Sequence, residues 1–214
     1  MTQVHQLTFG PFAENTYIIS DEDGNAIIID PGMYRAEENA RFFEYINSQQ
    51  LKPQHVLLTH AHLDHVFGVN WVNETYGLTP IVHQEDKFVY DSAVAVAMQY
   101  GLQMNPLVPV DIGLAEGESI EFGGETLEIF HCPGHSPGSV CFYNRKQKYV
   151  IGGDVLFQGS IGRTDLPGGD YNTLINSIRT KILVLPDDVV IYSGHGPLTN
   201  LGQERISNPF LQEI

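Results

Sequence analysis

A chain of 214 residues with 42% hydrophobic and 17% charged content can bury a core that needs no staples, which argues for one globular domain and against a disordered chain. Lys and Arg number 11 against 26 Asp and Glu, and the net charge of -15 repels phosphate backbones and speaks against nucleic acid as a partner. Two cysteines, Cys132 and Cys141, exclude a disulfide scaffold and read as reduced thiols of a cytoplasmic protein; the N-terminus lacks the start of a secretion signal, and no run nears the ~18 apolar residues of a membrane span.

Val4 to Phe9 alternates apolar and polar residues and stops at Gly10-Pro11. Asn15 to Ser20 and Ala26 to Asp30 read as strands joined by the turn Asp21-Glu22-Asp23-Gly24. The β-branched run Ile27-Ile28-Ile29 marks a strand covered on both faces. Apolar residues at Ala36, Ala40, Phe43 and Ile46 predict a helix over 35–50, and His55 to Leu58 predicts a second buried strand. Phe67 to Tyr76 reads as a helix ending at Gly77, Ile81-Val82 as a short strand, and Glu85 to Tyr100 as a helix ending at Gly101. That last helix, with the run to Asp111, suits an outer layer; the competing reading has it cover a site with Tyr90, Met98, Tyr100 and Met104.

The second half is richer in strands. Ser119 to Phe122 and Thr126 to His131 flank the hairpin signal Gly123-Gly124, and Ser139 to Tyr143 pairs with Tyr149 to Ile151. Asp170 to Leu185 predicts a helix with Asp170 as N-cap, and Val189 to Tyr192 a last strand. Strands mixed with helices in both halves predict a layered α/β domain, two sheets with helices outside.

Polar side chains concentrate in four loops that follow predicted strands. They are T-H-A-H-L-D-H (Thr59 to His65), P-G-H-S-P-G (Pro133 to Gly138), G-G-D (Gly152 to Asp154) and S-G-H-G-P (Ser193 to Pro197). In extended chain, side chains two apart point the same way, so His60 and His62 can hold one ion. Asp64 and His65 fall at a helix start, face elsewhere and suit a second ion. His135 and His195 sit beside glycines that permit close approach, and the Asp154 carboxylate has two oxygens with which to bridge two cations. Mixed imidazole and carboxylate favour zinc or iron over calcium or magnesium. His5, His55, His83 and His131 read as surface or structural residues, and Ser136, Ser139, Ser160 and Ser193 as turn residues rather than nucleophiles.

These motifs, with I-D-P-G (Ile29 to Gly32) and C-P-G-H-S-P-G-S (Cys132 to Ser139), come in an order that resembles the metallo-β-lactamase superfamily across residues 29 to 197. The resemblance implies an αββα sandwich with a metal site at one sheet edge. It implies one ion on His60, His62 and His135, a second on Asp64, His65 and His195, Asp154 bridging them, and Asp30 supporting ligands without binding metal. Two divalent ions are expected, zinc first, with iron or manganese as alternatives. His65 in place of arginine is similar to the glyoxalase II branch, which implies a thioesterase acting on S-lactoylglutathione or a similar small thioester through a metal-bridging hydroxide. Asp64 and Asp154 would be its catalytic carboxylates. In that branch a basic residue in the loop matching G-S-I-G-R-T-D (Gly159 to Asp165) grips a glutathione carboxylate, which makes Arg163 the substrate-binding residue here. The helical C-terminal domain of full-length glyoxalase II has no counterpart in the 19 residues (214 − 195) after His195. The G-R-T-D wording also resembles persulfide dioxygenases, which use one iron on two histidines and an aspartate. A lactonase or other ester hydrolase is a third reading.

Overall fold

The computed structural model describes residues 1–212. Strands β1 (Gln3–Phe9), β2 (Glu14–Ser20), β3 (Asn25–Ile29), β4 (Lys52–Leu57), β5 (Pro80–Val82) and β6 (Asp111–Ile112) lie side by side in chain order in one sheet. Strands β7 (Ser119–Phe122), β8 (Glu125–His131), β9 (Val140–Asn144), β10 (Tyr149–Gly153), β13 (Val190–Ser193) and β14 (Thr199–Asn200) form the second, in the order β14-β13-β10-β9-β8-β7. A separate ribbon pairs β11 (Leu156–Phe157) with β12 (Ser160–Ile161). Helices α1 (Ala36–Ser48), α2 (Val69–Tyr76), α3 (Lys87–Gln99), α4 (Tyr171–Ser177) and α5 (Leu201–Ser207) complete the chain.

The β-branched run in β3 shows why the layers stack as they do. Ile27 and Ile29 point inward with Tyr17, Ile19 and Leu57 and meet Leu127, Ile129 and Phe142 of the other sheet. Ile28 and Ala26 point outward beneath Phe42 and Ile46 of α1 and Val72 of α2. On the far side Cys132, Cys141, Tyr143 and Val150 receive Leu174 of α4 and then Ile178 and Ile182. Period-two alternation thus gives each sheet one inner and one outer apolar face. The result is the expected αββα sandwich. Both cysteines are buried and free.

Strand β4 starts earlier than its apolar end suggested, because Pro53 is carried at an irregularity where the register with β3 shifts. The helix expected over 170–185 begins as predicted, with Asp170 accepting from Thr173 N–H at 2.7 Å, but past Ser177 it widens into a π turn over Ile178–Ile182. The two-residue strands β6, β11, β12 and β14 are too short to show a period, and seven-residue α5 is nearly so. Glu204 in α5 is wholly buried and accepts from Gly159 N–H at 2.8 Å and Thr199 Oγ1 at 2.5 Å, so it anchors the loop between β11 and β12.

Candidate metal centre

Strands β3, β4 and β5 run parallel, as do β10 and β13, so the loops after β4, β10 and β13 leave neighbouring strand ends. The two sheets are tied where these loops meet. Val140 N–H reaches Thr59 O at 2.8 Å, Asn15 N–H reaches Gly194 O at 2.7 Å, and the Tyr17 hydroxyl donates to Ser193 O at 2.6 Å. His60, His62, Asp64, His65, His135, Asp154 and His195 converge there.

Three ligand-sized groups result; that of Asp30, His60 and His65 is already closed by hydrogen bonds through Thr59 and His65 Nδ1, which leaves two. The coordinating atoms of His60, His62 and His135 lie within 4.8 Å of one another, and so do those of Asp64, His65 and His195. Asp154 touches both: its Oδ2 is 3.5 Å from His135 Nε2 and 3.5 Å from His195 Nε2.

The ring orientations are set from behind. The Thr59 hydroxyl donates to Asp30 Oδ2 at 2.5 Å, so its oxygen accepts from His60 Nδ1–H at 3.1 Å. His65 Nδ1–H donates to Asp30 at 3.0 Å, His135 Nδ1–H to Arg163 O at 2.8 Å, and His195 Nδ1–H to Phe12 O at 3.1 Å. All four rings therefore turn Nε2 toward the site. Asp30 stands behind His60 and His65, and its own backbone is held at φ 51°.

Protonation follows the surroundings. Burial pushes His62 down to about 3, with neighbouring His135 adding to it, and burial brings His135 down to about 4. Burial lowers His60 as well, reinforced by the surrounding imidazoles. In His65 burial is outweighed by Asp30, Asp64 and Asp154, and the imidazole is raised well above its ordinary value. His195 is also raised, its burial outweighed by Asp64 and Asp154. Burial alone would raise Asp64, but His65 and His195 hold it below the usual carboxylate range.

A cation suits this arrangement. His62 Nδ1 and His135 Nε2 aim at each other across 2.8 Å, and His135 Nε2 lies 3.2 Å from His60 Nε2. Neutral His62 can donate one Nδ1–H to His135 Nε2, but His60, whose ring proton is on Nδ1, then faces His135 Nε2 with no proton between them. Ligand nitrogens on one tetrahedral zinc sit ~3.3 Å apart, by the Zn–N distance. In the second group, His65 Nε2 and Asp154 Oδ1 are buried without a hydrogen-bond partner. A cation held there would give both atoms a partner.

Two buried acids escape the motifs. Asp86 accepts from Ala61 N–H at 2.6 Å, from the Ser136 hydroxyl at 2.5 Å and from Gly138 N–H at 2.6 Å. It thereby locks the His60–His62 loop to the His135 loop. Glu14 lies under Asp64 and His65, wholly buried, with its carboxyl raised by desolvation and its Oε2 accepting from Thr16. Neither belongs to a metal motif: Glu14 opens β2 and Asp86 immediately precedes α3. His83, Glu85 and His131 also come within ligand range, but the two rings stack at 4.1 Å and 18°. Lone pairs in parallel planes do not meet at one ion, and His131 Nε2 instead donates to Pro137 O at 2.8 Å. His131 is structural, as expected.

A cavity of about 660 Å³ opens over the metal-site residues. Arg163 lines it, its guanidinium held by Asp165 through Nε at 2.8 Å and Nη2 at 2.7 Å. Helix α3 packs on the core through Tyr90, Ala93 and Ala97, as the outer-layer reading has it, and its other side lines the cavity. Of Tyr90, Met98, Tyr100 and Met104, only Tyr100 lines the cavity, together with Phe88, Val89 and Val96.

The metallo-beta-lactamase superfamily model matches residues 9–195, which contain every residue of this centre. The chain belongs to the metallo-beta-lactamase superfamily. Among its members, hydroxyacylglutathione hydrolase GloC of Haemophilus influenzae is 44% identical over 202 residues, covering 94% of this chain and 93% of that one. The crystal structure of BLEG-1 B3 metallo-beta-lactamase superposes with a TM-score of 0.89 at 40% identity, over 99% of this chain and 100% of that one. TTHA1623, solved in a di-iron-bound form, gives 0.86 at 38% identity, over 97% and 100%. The superfamily and the His/Asp clusters together imply divalent metal ions and a metallohydrolase. No helix among the described residues is long and apolar enough to cross a membrane.

Proposed function

We propose that this superfamily member is a two-metal thioester hydrolase of glyoxalase II type, acting on S-lactoylglutathione or a similar acyl thioester. One ion would be held by His60, His62 and His135 and the other by Asp64, His65 and His195, with Asp154 within reach of both groups. Two divalent ions bound there, zinc first, would supply Lewis acidity and would lower the pKa of a nearby water toward ~7. The observation that carries the reading is the completeness of the second group: Asp64, His65 and His195 lie within mutual ligand range. The 44% likeness to a protein named hydroxyacylglutathione hydrolase supports the thioester assignment.

The protein's own groups divide the work. Asp64 stays anionic beside His195 at 3.3 Å and orients the water that attacks the thioester carbonyl. Asp30 and the carbonyls of Phe12 and Arg163 fix the imidazoles so that little reorganisation accompanies the reaction. The apolar cavity wall excludes bulk water, and Arg163 grips a substrate carboxylate. The thiolate leaves readily because it is weakly basic.

The test loads the protein separately with zinc and with iron and assays three reactions: hydrolysis of S-lactoylglutathione, oxygen uptake with glutathione persulfide, and opening of a chromogenic β-lactam. Lactoyl thioester cleavage with two ions per chain and no oxygen uptake is the expected result. Oxygen uptake with one iron per chain would replace the hydrolase reading with a dioxygenase.

A further inference from the structure

The ring of His195 is 27% exposed, against 0% for His65 in the same ligand group. It stands between Gly194 and Gly196, and neither has a side chain to wedge into the fold. Gly194 is pressed so close to the site that a methyl group there would collide with Asp154 Oδ1 and His65 Cε1. Gly196 lies in the left-handed region at φ 71°. Hydrogen bonds, rather than side-chain packing, must hold this loop in place.

Three of those bonds come from one residue of the other sheet. Asn15, in β2, is 1% exposed. Its Nδ2 donates to Ser193 O at 3.0 Å and to Gly196 O at 2.9 Å, and its backbone N–H donates to Gly194 O at 2.7 Å. One side chain thus grips the carbonyls on both flanks of His195. The amide is oriented by Thr8, its partner across the β1–β2 ladder, whose hydroxyl donates to Asn15 Oδ1 at 2.9 Å. Carbonyl oxygens only accept, so the Nδ2 end must face the loop. The Tyr17 hydroxyl shares Ser193 O, but among the described residues Gly196 O has no other donor. The loops of His60, His62 and His135 are tied by a separate set of bonds, those to Asp86.

We propose that Asn15 is a positioning residue for the second ligand group: its amide clamps both flanks of His195, and this clamp gives the Asp64–His65–His195 position its affinity for a divalent cation. The inference rests on the two-metal reading above. Asn15 touches no ligand atom and acts through the backbone alone. Its loss should therefore be felt at His195 and in the second ion, and hardly at the first.

The test follows the histidine rings by nuclear magnetic resonance in protein carrying 15N-histidine, first metal-free and then titrated with zinc against a chelator. Each ring reports its own ligand group. Three variants are compared with the parent. Asn15→Ala removes the clamp. Asn15→Asp keeps the shape and the Thr8 bond but sets a carboxylate oxygen against two carbonyl oxygens. Thr8→Val, at an exposed position, leaves the clamp in place but unoriented, and so tests the proposal on a surface change if the Asn15 variants fail to fold.

In the metal-free Asn15 variants the His195 Nδ1–H proton, held on the Phe12 carbonyl, should exchange with solvent at least about tenfold faster. Zinc affinity read at His65 and His195 should fall at least about tenfold, while that read at His60, His62 and His135 stays within about twofold. Thr8→Val should weaken the second position about two- to fivefold. Equal weakening of both groups would make Asn15 a general structural residue and overturn the proposal, as would an unchanged His195 proton with unchanged affinity. A parent in which His65 and His195 never respond to zinc overturns the two-metal reading instead. The ring-proton measurement needs no metal, so it still decides whether Asn15 positions His195.

Discussion

His65 Nε2 and Asp154 Oδ1 face each other at 3.6 Å, and neither atom has a hydrogen-bond partner among the described residues. Both are buried, so the pair is satisfied by charge: by a proton on His65, whose imidazole the surrounding carboxylates raise, or by a cation in its place. Asp154 also approaches His135 and His195 through its other oxygen. One carboxylate is therefore common to both ligand groups.

Replacing it should uncouple them. Asp154→Ala is expected to bind fewer than two ions per chain and to lose turnover by about 10²- to 10³-fold or more, the scale of removing one preorganised electrostatic element. Asp64→Asn should behave similarly, weakening the Asp64–His65–His195 position first. Metal analysis with far-UV circular dichroism separates this from unfolding. Near-normal turnover with one ion in both variants would exclude the two-metal scheme.

Acid should empty the two positions in sequence. A metal competes with protons for imidazole, so affinity falls as pH drops through a ligand's metal-free pKa. His65 and His195 have raised values, hence the proton competes there already near and above the ordinary histidine range. His62 and His135 are depressed to about 3 and about 4, and proton competition at their site sets in only near those values. Equilibrium dialysis from pH 8 to pH 5 should show one equivalent leaving while the other stays. Simultaneous loss of both would contradict the assignment of the shifts.

Much of this site could be read from the chain, and the reason is local geometry. His60, His62, Asp64 and His65 share seven residues, so their relative directions follow from backbone periods alone. His135, Asp154 and His195 each follow a strand and stand beside glycine, a pattern that topology then brings to one edge. Ile27, Ile28 and Ile29 announced a doubly covered strand for the same local reason. Asp86 and Glu14 could not be read this way, since their roles are long-range hydrogen bonds across 25 to 52 residues or contacts beneath the metal ligands. The cavity face of α3 was hidden by its core-facing stripe, which satisfies the same helical period.

Asp86 offers a test of the long-range part. Its three accepted hydrogen bonds are buried and connect the His60–His62 loop to the His135 loop. Asp86→Ala should destabilise the protein by about 2–4 kcal/mol, because three buried donors lose their partner at once. It should also weaken metal binding at His60, His62 and His135 by about 10- to 100-fold. Urea denaturation of the metal-free protein reads the first effect and chelator competition the second. Glu85→Ala, an exposed neighbour, serves as the control and should change neither measurably.

Arg163 supplies the last prediction, which concerns substrate rather than metal. Its backbone carbonyl accepts from His135 Nδ1–H, while the residue lines the cavity and its guanidinium pairs with Asp165. The two roles use different atoms, so the side chain can be removed without freeing His135. Arg163→Ala should raise KM for a carboxylate-bearing thioester, with kcat within about threefold of the parent, because the lost contact is made equally in ground and transition states. Asp165→Asn should act in the other direction. It removes the anion that competes for the guanidinium, so KM for the same substrate should fall, most clearly at low salt where the pairing is least screened. Steady-state kinetics on S-lactoylglutathione at two ionic strengths decides both. An unchanged KM in Arg163→Ala would take Arg163 out of the substrate site, and a raised KM in Asp165→Asn would mean that Asp165 positions the guanidinium rather than competing with substrate for it.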